Sequence, residues 1–318
     1  IITSTNKKAE ERQRSSLTYN EHSLKIGTLN VKGFNTIDKQ LVSFSIFRLE
    51  HYLDIIGLTE TKTKKNENKF LSQIKNTQKN GKKQKTMDNN NIENTNNLEE
   101  QSTEPIKNNQ TPERDFNKHY KTWWSGKNDH YQGAGVGLAI KQELAKRVYK
   151  IEYIDGRALL ADLQLRKNIK IRIIVVYMPA DPKHVNERSN LINQIERWIK
   201  IGFADKKSII LLGDLNADPD KLDIKLQSTS NRKIDDKYNI IIKLRSLGLF
   251  DSQLGINQGN NKTWIGPMID NKQAKSRIDH IWISKDFIQD RICVNTIFDN
   301  LFNSDHMLVT LTLSSKIL

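Results

Sequence analysis

Residues 208–220 read S-I-I-L-L-G-D-L-N-A-D-P-D, a short apolar run that ends abruptly in acidic residues. The run is rich in Ile and Leu, and its length predicts a buried strand. Polar residues with oxygen ligands then occupy every second position: Asp214, Asn216, Asp218 and Asp220. This arrangement favours an α/β or α+β fold, because open α/β sheets place their chemistry where strands end.

The alternating acids also resemble the first half of an EF-hand calcium loop. That loop needs Gly at its sixth position and a bidentate Glu at its twelfth. Counted from Asp214, these positions hold Pro219 and Lys225. The preceding strand is also unlike an amphipathic EF-hand helix, so the sequence disfavours calcium binding of this kind.

The composition points to a polyanionic partner. The 318-residue chain carries a net charge of +14 with a pI near 9.6, which suits nucleic acid or an anionic membrane. Cys293 is the single cysteine, so we expect no intramolecular disulfide, no disulfide-linked partner and a reducing compartment. No apolar run reaches the roughly 18 residues that span a bilayer, and no secretory signal is evident, so we expect no membrane association.

Two segments lack the apolar residues needed for a core. Residues 1–20 are predicted to be a disordered lead-in, and residues 62–115, rich in Lys, Asn and Gln, a flexible insertion. Their net charges are +2 and +3, so about +9 of the +14 stays with the remaining chain. We expect one domain over residues 21–316, interrupted by the insertion, which should leave the active site intact.

The rest of the chain alternates strand and helix patterns. A 3.6-residue apolar period predicts a helix over 185–200, and further helices are expected around 38–51 and 237–247, the last ending at Gly248. Period and composition predict seven further strands besides 208–212: 24–29, 54–58, 134–140, 158–165, 170–176, 278–283 and 307–313.

Polar residues sit at the ends or beginnings of these strands. Each has an ordinary reading as a cap, a solvated side chain or a buried histidine. As a set they suit phosphate-ester cleavage, since carboxylate and amide oxygens favour Mg²⁺ or Mn²⁺ over zinc, and an Asp-His couple fixes the imidazole. The set comprises Asn30, Glu60, Tyr177, Asp214, Asp279, Asp305 and His306.

Seven motifs in order resemble the endonuclease/exonuclease/phosphatase family, most of all the apurinic-endonuclease-like domain of non-LTR retrotransposons. The likeness runs from about residue 24 to 313. Its elements are T-L-N (28–30), L-T-E-T (58–61), G-A-G-V-G-L-A-I (133–140), V-Y-M-P (176–179), G-D-L-N-A (213–217), S-R-I-D-H-I (276–281) and S-D-H (304–306). The resemblance implies a four-layered sandwich of two packed mixed β-sheets flanked by helices.

The resemblance also implies roles for individual residues. Glu60 is similar to the metal-binding glutamate, with Asn30 beside it in the metal and phosphate shell. Asp214 is similar to the aspartate that orients or deprotonates water, and Asn216 to the amide that stabilises the pentavalent centre. Tyr177 matches the active-site tyrosine near the phosphate.

In the same family pattern, Asp279 would hold His306, which contacts the scissile phosphate. Asp305 matches the aspartate associated with metal binding. Asp218 and Asp220 are interpreted as turn and capping residues around the intervening proline.

One position departs from the pattern of apurinic endonucleases. They usually have Asp two residues after the Asn, where this chain has Lys32. The departure disfavours a general DNA-repair role and a second metal position. The segment 276–281, following Thr263-Trp264, is more similar to the retrotransposon branch.

The resemblance implies a Mg²⁺-dependent (or Mn²⁺-dependent) DNA endonuclease that nicks one strand and leaves a 3′-hydroxyl for reverse transcription. It implies an intracellular, nuclear location and a reverse transcriptase downstream in the same polyprotein. Basic residues of the predicted 258–275 loop would add to DNA affinity. Two alternatives stay open: a phosphatase or phosphodiesterase acting on inositol phosphates, phospholipid headgroups or RNA ends, and an inactive DNA-binding relic. The target site and the oligomeric state are not predicted.

Overall fold

The computed structural model describes most of the chain outside the two low-complexity segments. The described residues are 23–34, 43, 45–62, 119–126, 134–228, 233–254, 261–298, 300–302 and 304–314. The predicted lead-in at 1–20 and, apart from Lys62, the predicted insertion at 62–115 lie outside them.

Two six-stranded mixed sheets form the centre of the molecule. The first sheet has the order β13-β14-β1-β2-β4-β3, and the second has the order β5-β6-β7-β8-β12-β9. The strands are β1 Leu24–Asn30, β2 Ile55–Thr59, β3 Tyr120–Ser125, β4 Val136–Lys141, β5 Val148–Ile154, β6 Ala158–Gln164, β7 Lys170–Tyr177, β8 Ser208–Asp214, β9 Leu249–Asp251, β12 Asp279–Ser284, β13 Arg291–Ile297 and β14 Leu308–Leu313. Each sheet has one parallel pair, β1 with β2 and β7 with β8.

Helices cover the outer faces of the sheets, and one short helix packs against the core between them. Their bounds are α1 Gln142–Ala145, α2 Val185–Ala204, α3 Pro219–Gln227 and α4 Asn239–Ser246. Helix α2 turns Leu191, Ile195 and Ile199 toward the second sheet, in the apolar cluster that also includes residues of α4. Residues 45–49 are helical and lie on the outer face of the first sheet, where Phe47 stacks on Phe302 at 5.1 Å. The remaining predicted helical residues in 38–51 are partly outside the described chain.

The main core lies between the two sheets. It joins side chains of β1 and β14 to those of β7, β8 and β12 in one cluster. Strand β8 is buried on both faces, since one face meets this core and the other meets α2. A strand covered on both faces needs a continuous apolar run, which is why 208–212 lacks alternation. The predicted four-layered sandwich in a single domain is confirmed.

One loop prediction is wrong. The segment expected to be a loop over 258–275 contains a hairpin, β10 Trp264–Ile269 with β11 Lys272–Ser276. The turn uses Asp270 and Asn271 with φ of 48° and 58°, the left-handed conformation of a tight hairpin turn. The hairpin forms its own two-stranded sheet, bridged at Trp264 to His306 just before β14, and its partly exposed residues show little of the apolar alternation that predicts a strand.

No helix in the described part of the chain has the length and hydropathy of a membrane span.

Gly213 makes a specific stability prediction. Its φ is +137°, and a Cβ atom added there would lie 2.0 Å from the carbonyl oxygen of Val176, the residue that Gly213 pairs with on β7. Gly213→Ala should therefore lower the free energy of unfolding by about 2–4 kcal/mol, measured by urea titration.

Gly248→Ala is the matched control. Gly248 also has a left-handed φ of +76°, but an added Cβ meets nothing within 4 Å. Gly248→Ala should lower the free energy of unfolding by about 1 kcal/mol, which is the backbone penalty alone. Equal losses in the two variants would contradict the assigned clash.

Candidate active site

The predicted site residues meet at one end of the two sheets. Asn30 ends β1 and Glu60 directly follows β2, and these two strands pair in parallel with Asn30 opposite Thr59. On the second sheet, Tyr177 ends β7 opposite Asp214. Within each sheet the parallel pair brings two carboxyl ends to one edge, and the hydrogen bond from Asn30 to Asp214 shows that the two edges lie side by side.

The antiparallel neighbours bring their beginnings to the same place. Asp279 opens β12 directly opposite Asp214. His306 lies just before β14, the strand that runs antiparallel to β1. The structure therefore brings Asn30, Glu60 and these residues together, although they are separated by up to 276 positions in the chain.

Asn30 links two carboxylates. Its buried amide nitrogen donates to Asp214 Oδ2 at 2.9 Å and to Glu60 Oε2 at 3.2 Å. The amide oxygen accepts from the backbone N–H of Lys32 at 2.9 Å, which fixes the orientation of the amide. A second lone pair of that oxygen stays available for a ligand.

Glu60 is held from three sides. Besides Asn30, the Tyr177 hydroxyl contacts Oε2 at 3.5 Å, and the Lys62 ammonium lies 3.2 Å from Oε1. Burial, followed by the charges of Glu60 and Asp214, raises the pKa of Tyr177, so its hydroxyl stays protonated and acts as a donor.

Asp214 has a pKa suited to proton transfer near neutrality. Burial and the neighbouring Asp279 charge raise the pKa of Asp214 to about 7, against the opposing effects of His306 and the hydrogen bonds from Asn30 and Asn216. A carboxylate with a pKa near ambient pH is an effective general base.

Asn216 is placed by its own backbone. Its φ is 49°, its N–H donates to Asp214 Oδ1 at 2.9 Å, and its amide nitrogen donates to the Met178 carbonyl at 2.8 Å. The amide nitrogen carries a second hydrogen that can serve a phosphoryl oxygen. The side chain lines the cleft, where the predicted role at the phosphate requires it.

His306 and Asp279 form a buried acid–base pair. Nδ1 of His306 lies 2.8 Å from Asp279 Oδ2. Burial alone would lower the pKa of His306, but Asp279, then Asp214 and Asp305, raise it to about 9. The imidazole is therefore a cation at neutral pH, with Nε2–H left to donate.

Asp279 is itself tightly positioned. Its backbone N–H donates to Thr263 Oγ1 at 2.9 Å. Its buried Oδ1 has no hydrogen-bond partner among the described residues, which is costly for a carboxylate and typical of functional sites.

Asp305 lies beside this group and makes different contacts. Its Oδ2 accepts from Lys32 Nζ at 3.2 Å and from Trp264 Nε1 at 3.3 Å. Its side chain therefore takes no part in the hydrogen bonds by which Asn30 links Glu60 and Asp214.

Asp218 and Asp220 have structural contacts. Asp218 is the N-cap of α3 and accepts from the Asp220 N–H at 3.1 Å and the Arg277 N–H at 3.0 Å. Asp220 accepts from Arg277 Nη2 at 2.8 Å, and Arg277 with Lys262 lowers its pKa to about 2 against the effect of burial.

Sequence reasoning missed two supporting residues. Arg277 is buried and reaches Asp251 Oδ2 at 2.5 Å as well as Asp220, so it joins β9, α3 and the start of β12. His280 places Nε2 3.0 Å from the Ala217 carbonyl, which braces the loop after Asn216. Both residues belong to the motif S-R-I-D-H-I. The sequence could have indicated Arg277, because an arginine next to a predicted buried strand requires carboxylate partners.

The site opens into a cleft of about 310 Å³. Acidic, basic and aromatic side chains line it. Lining residues include Glu60, Asp214, Lys221, Lys237, Tyr238, Trp264 and His306.

The donor set at Asn30 fits a hard divalent cation. Glu60 contributes carboxylate oxygens and Asn30 an amide oxygen, the ligand types of Mg²⁺ and Mn²⁺. Ligand atoms of Asp214, Asp279 and His306 also lie within 4.8 Å of one another. Since His306 is protonated and bonded to Asp279, we interpret that trio as an acid–base unit and not as a metal cage.

This fold and this cluster define a class of phosphoester hydrolases. The family model described as endonuclease/exonuclease/phosphatase family matches residues 27–306. The chain belongs to this family, whose members are typically dependent on divalent metal ions, and the prediction from the motifs is confirmed. No curated protein matches the chain.

Solved structures share the fold at low sequence identity. The 3′ phosphatase NExo from Neisseria, bound to a product DNA hairpin, is 18% identical with a TM-score of 0.60, covering 92% of this chain and 99% of that one. The AP endonuclease LMAP from Leishmania major is 13% identical with a TM-score of 0.66, covering 94% and 90%. The endonuclease domain of TRAS1, a telomere-specific non-LTR retrotransposon, is 14% identical with a TM-score of 0.53, covering 91% and 98%.

The pKa shifts predict how stability changes with pH. The pKa of His306 is about 9 in the folded chain, above its ordinary 6.5, so its contribution is present below pH 6.5 and is lost as pH rises through 9. The raised pKa of Asp214 acts in the same direction between its ordinary 3.8 and about 7. The free energy of unfolding should therefore fall from mildly acidic pH toward pH 9.

His306→Gln should flatten the upper part of this profile by on the order of 1–3 kcal/mol, measured by urea unfolding between about pH 6.5 and 9.5. His184→Gln is the control, since His184 forms a surface pair with Glu187 at 2.8 Å. An unchanged profile in His306→Gln would show that the imidazole is not held as a cation.

Proposed function

We propose that this protein is a divalent-metal-dependent DNA endonuclease that hydrolyses one phosphodiester bond and leaves a 3′-hydroxyl. The observation that carries the proposal is that Asp214, with a pKa near 7, and the His306 imidazolium line the same cleft with ligand atoms within 4.8 Å of each other. A general base and a fixed cation on one cleft are the two groups that an in-line attack on a phosphate needs.

Each residue has a defined part in the reaction. Asp214 accepts a proton from water as the water oxygen bonds to phosphorus and the bond from phosphorus to the 3′ oxygen breaks, and the departing 3′ oxygen takes a proton from solvent to become the hydroxyl. His306 Nε2–H and the second amide hydrogen of Asn216 donate to the phosphoryl oxygens. Asp279 holds the imidazole as the donor. Glu60 and Asn30 would hold Mg²⁺ or Mn²⁺, which would supply positive charge beside the reacting phosphate.

The positive charge of the chain and of its cleft supports DNA as the substrate. The chain carries +14, and Lys221 and Lys237 line the cleft itself. Lys221 is held by a 2.6 Å bond to Ser276 Oγ, and Lys237 lies over the Tyr238 ring at 5.2 Å. Cations at fixed positions beside the reacting groups suit the phosphates that flank an internal bond.

The retrotransposon setting is the finer part of the proposal. It is supported by the motif resemblance, by Lys32 in place of the repair-type Asp, and by the fold shared with the TRAS1 endonuclease domain. In this setting the 3′-hydroxyl would prime reverse transcription in the nucleus by an enzyme encoded downstream. The NExo structure supports the alternative of phosphate removal from a nucleic-acid end.

The activity test is nicking of supercoiled plasmid with Mg²⁺. Asp214→Asn and His306→Gln should each slow nicking by about 10²–10⁴-fold, because each removes a proton-transfer or charge-stabilising group. Asp205→Asn, near the opposite end of β8, is the control and should nick at the wild-type rate.

Duplex binding measured by fluorescence anisotropy in EDTA separates loss of chemistry from loss of folding. Intact binding with lost nicking supports the assigned roles. Release of phosphate from 3′-phosphorylated oligonucleotides with the plasmid left supercoiled would favour the phosphatase. A wild-type protein that binds DNA and hydrolyses neither substrate would be the inactive relic.

The salt dependence of DNA binding tests the cleft lysines. The double variant Lys221→Ala/Lys237→Ala should lower the slope of log Kd against log salt by about 2, roughly one for each lost phosphate contact. Lys200→Ala, on α2 and paired with Glu196 at 2.8 Å, should leave the slope unchanged. Equal slopes in wild type, the double variant and Lys200→Ala would show that Lys221 and Lys237 do not contact DNA phosphates.

A further inference from the structure

The carboxylate of Asp305 is already occupied by donors from this chain. Lys32 Nζ and Trp264 Nε1 both donate a hydrogen bond to Asp305 Oδ2, at 3.2 and 3.3 Å. The backbone carbonyl of Asp305 also accepts from the Ile265 N–H at 3.0 Å. Two elements, the end of β1 and the hairpin strand β10, therefore hold this residue.

The ends of two paired strands bring Lys32 and Asp305 together. Strands β1 and β14 pair antiparallel, from Leu24 opposite Leu313 to Thr28 opposite Val309. Lys32 follows the end of β1 and Asp305 precedes the start of β14, so both residues lie beyond the same end of this strand pair. The ammonium and the carboxylate meet there at 3.2 Å, with the Lys32 side chain 55% exposed and the Asp305 side chain 32% exposed.

Backbone hydrogen bonds fix the two segments that carry Lys32 and Asp305. Lys32 has a left-handed φ of 48°, and its N–H is bonded to the Asn30 side chain. On the other side, Ser304 Oγ donates to the Asn30 carbonyl at 2.7 Å and accepts from the His306 N–H at 3.1 Å. Asn30 thus ties together the two loops that carry Lys32 and Asp305.

The charges at Asn30 and at Asp305 are balanced differently. At Asn30, the carboxylates of Glu60 and Asp214 share one neutral amide nitrogen, with Lys62 on the far oxygen of Glu60. Two carboxyl groups there meet one ammonium, so one carboxyl group is left without a cationic partner. At Asp305, a single carboxylate meets a single ammonium, and an indole N–H adds a further donor.

We infer that Lys32 takes the place of a second metal ion: its ammonium neutralises Asp305, and the chain holds one divalent ion, at Asn30 and Glu60. This inference rests on the divalent ion of the proposed function. It assigns to Asp305 a partner within the protein in place of the metal that the family resemblance implies. Lys32 becomes the residue that decides the number of ions.

The test is the stoichiometry of Mn²⁺ binding to the intact protein, measured by calorimetry and by electron paramagnetic resonance of free Mn²⁺. Wild type and Asp305→Asn should each bind one ion. Lys32→Asp should bind two, because it puts a second carboxylate opposite Asp305, and Lys32→Asp/Asp305→Asn should return to one. Lys200→Asp is the control for added negative charge and should bind one.

The opposing results are distinct. Two ions on wild type, falling to one in Asp305→Asn, would make Asp305 a metal ligand and overturn the inference. One ion on Lys32→Asp, with a wild-type urea midpoint, would show that Lys32 does not decide the number. Plasmid nicking by wild type tests the proposed function separately, whichever stoichiometry is found.

Discussion

Two buried carboxylates face each other where the two sheets end at the active site, and much of the site serves to make that arrangement stable. Asp214 and Asp279 are register partners on β8 and β12, and both are at most 1% exposed. Like charges placed directly opposite on neighbouring strands repel, and burial removes the water that would screen them. Left alone, this pair would disfavour the fold.

The surrounding residues offset the repulsion in two ways. His306 places a positive charge against Asp279, and Asn30 with the Asn216 N–H donates to Asp214. The compensation is incomplete, since the pKa of Asp214 stays near 7 and Asp279 Oδ1 has no partner among the described residues. Residual destabilisation of this kind is what gives a carboxylate basicity at neutral pH. The same electrostatics therefore costs stability and creates the proposed general base.

Much of the fold and the membership of the cluster could be predicted from the sequence. Strand β8 was readable because burial on both faces demands a continuous apolar run, and Asp214 was noticeable because such a run ended in an acid. The edge strands β3, β5, β9 and β13 and the β10–β11 hairpin were missed, since partial exposure at a sheet edge or outside the two sheets erases the pattern. Edge strands are fixed by pairing with a partner, which a local pattern does not record.

Pairing between distant side chains explains what else escaped prediction. Nothing near Arg277 in sequence indicates Asp251 as its partner, and nothing near Lys32 indicates Asp305. Both pairs follow from the order of strands in a sheet, a property of the whole chain. The family resemblance supplies the role that a position usually has, whereas the partner of that position is set by this chain's own residues. At Asp305 the two differ: the family pattern implies a metal ion, and the fold delivers an ammonium group to the same carboxylate. Where one substitution reverses the charge opposite a site residue, the contacts of that residue carry more weight than the motif in which it stands.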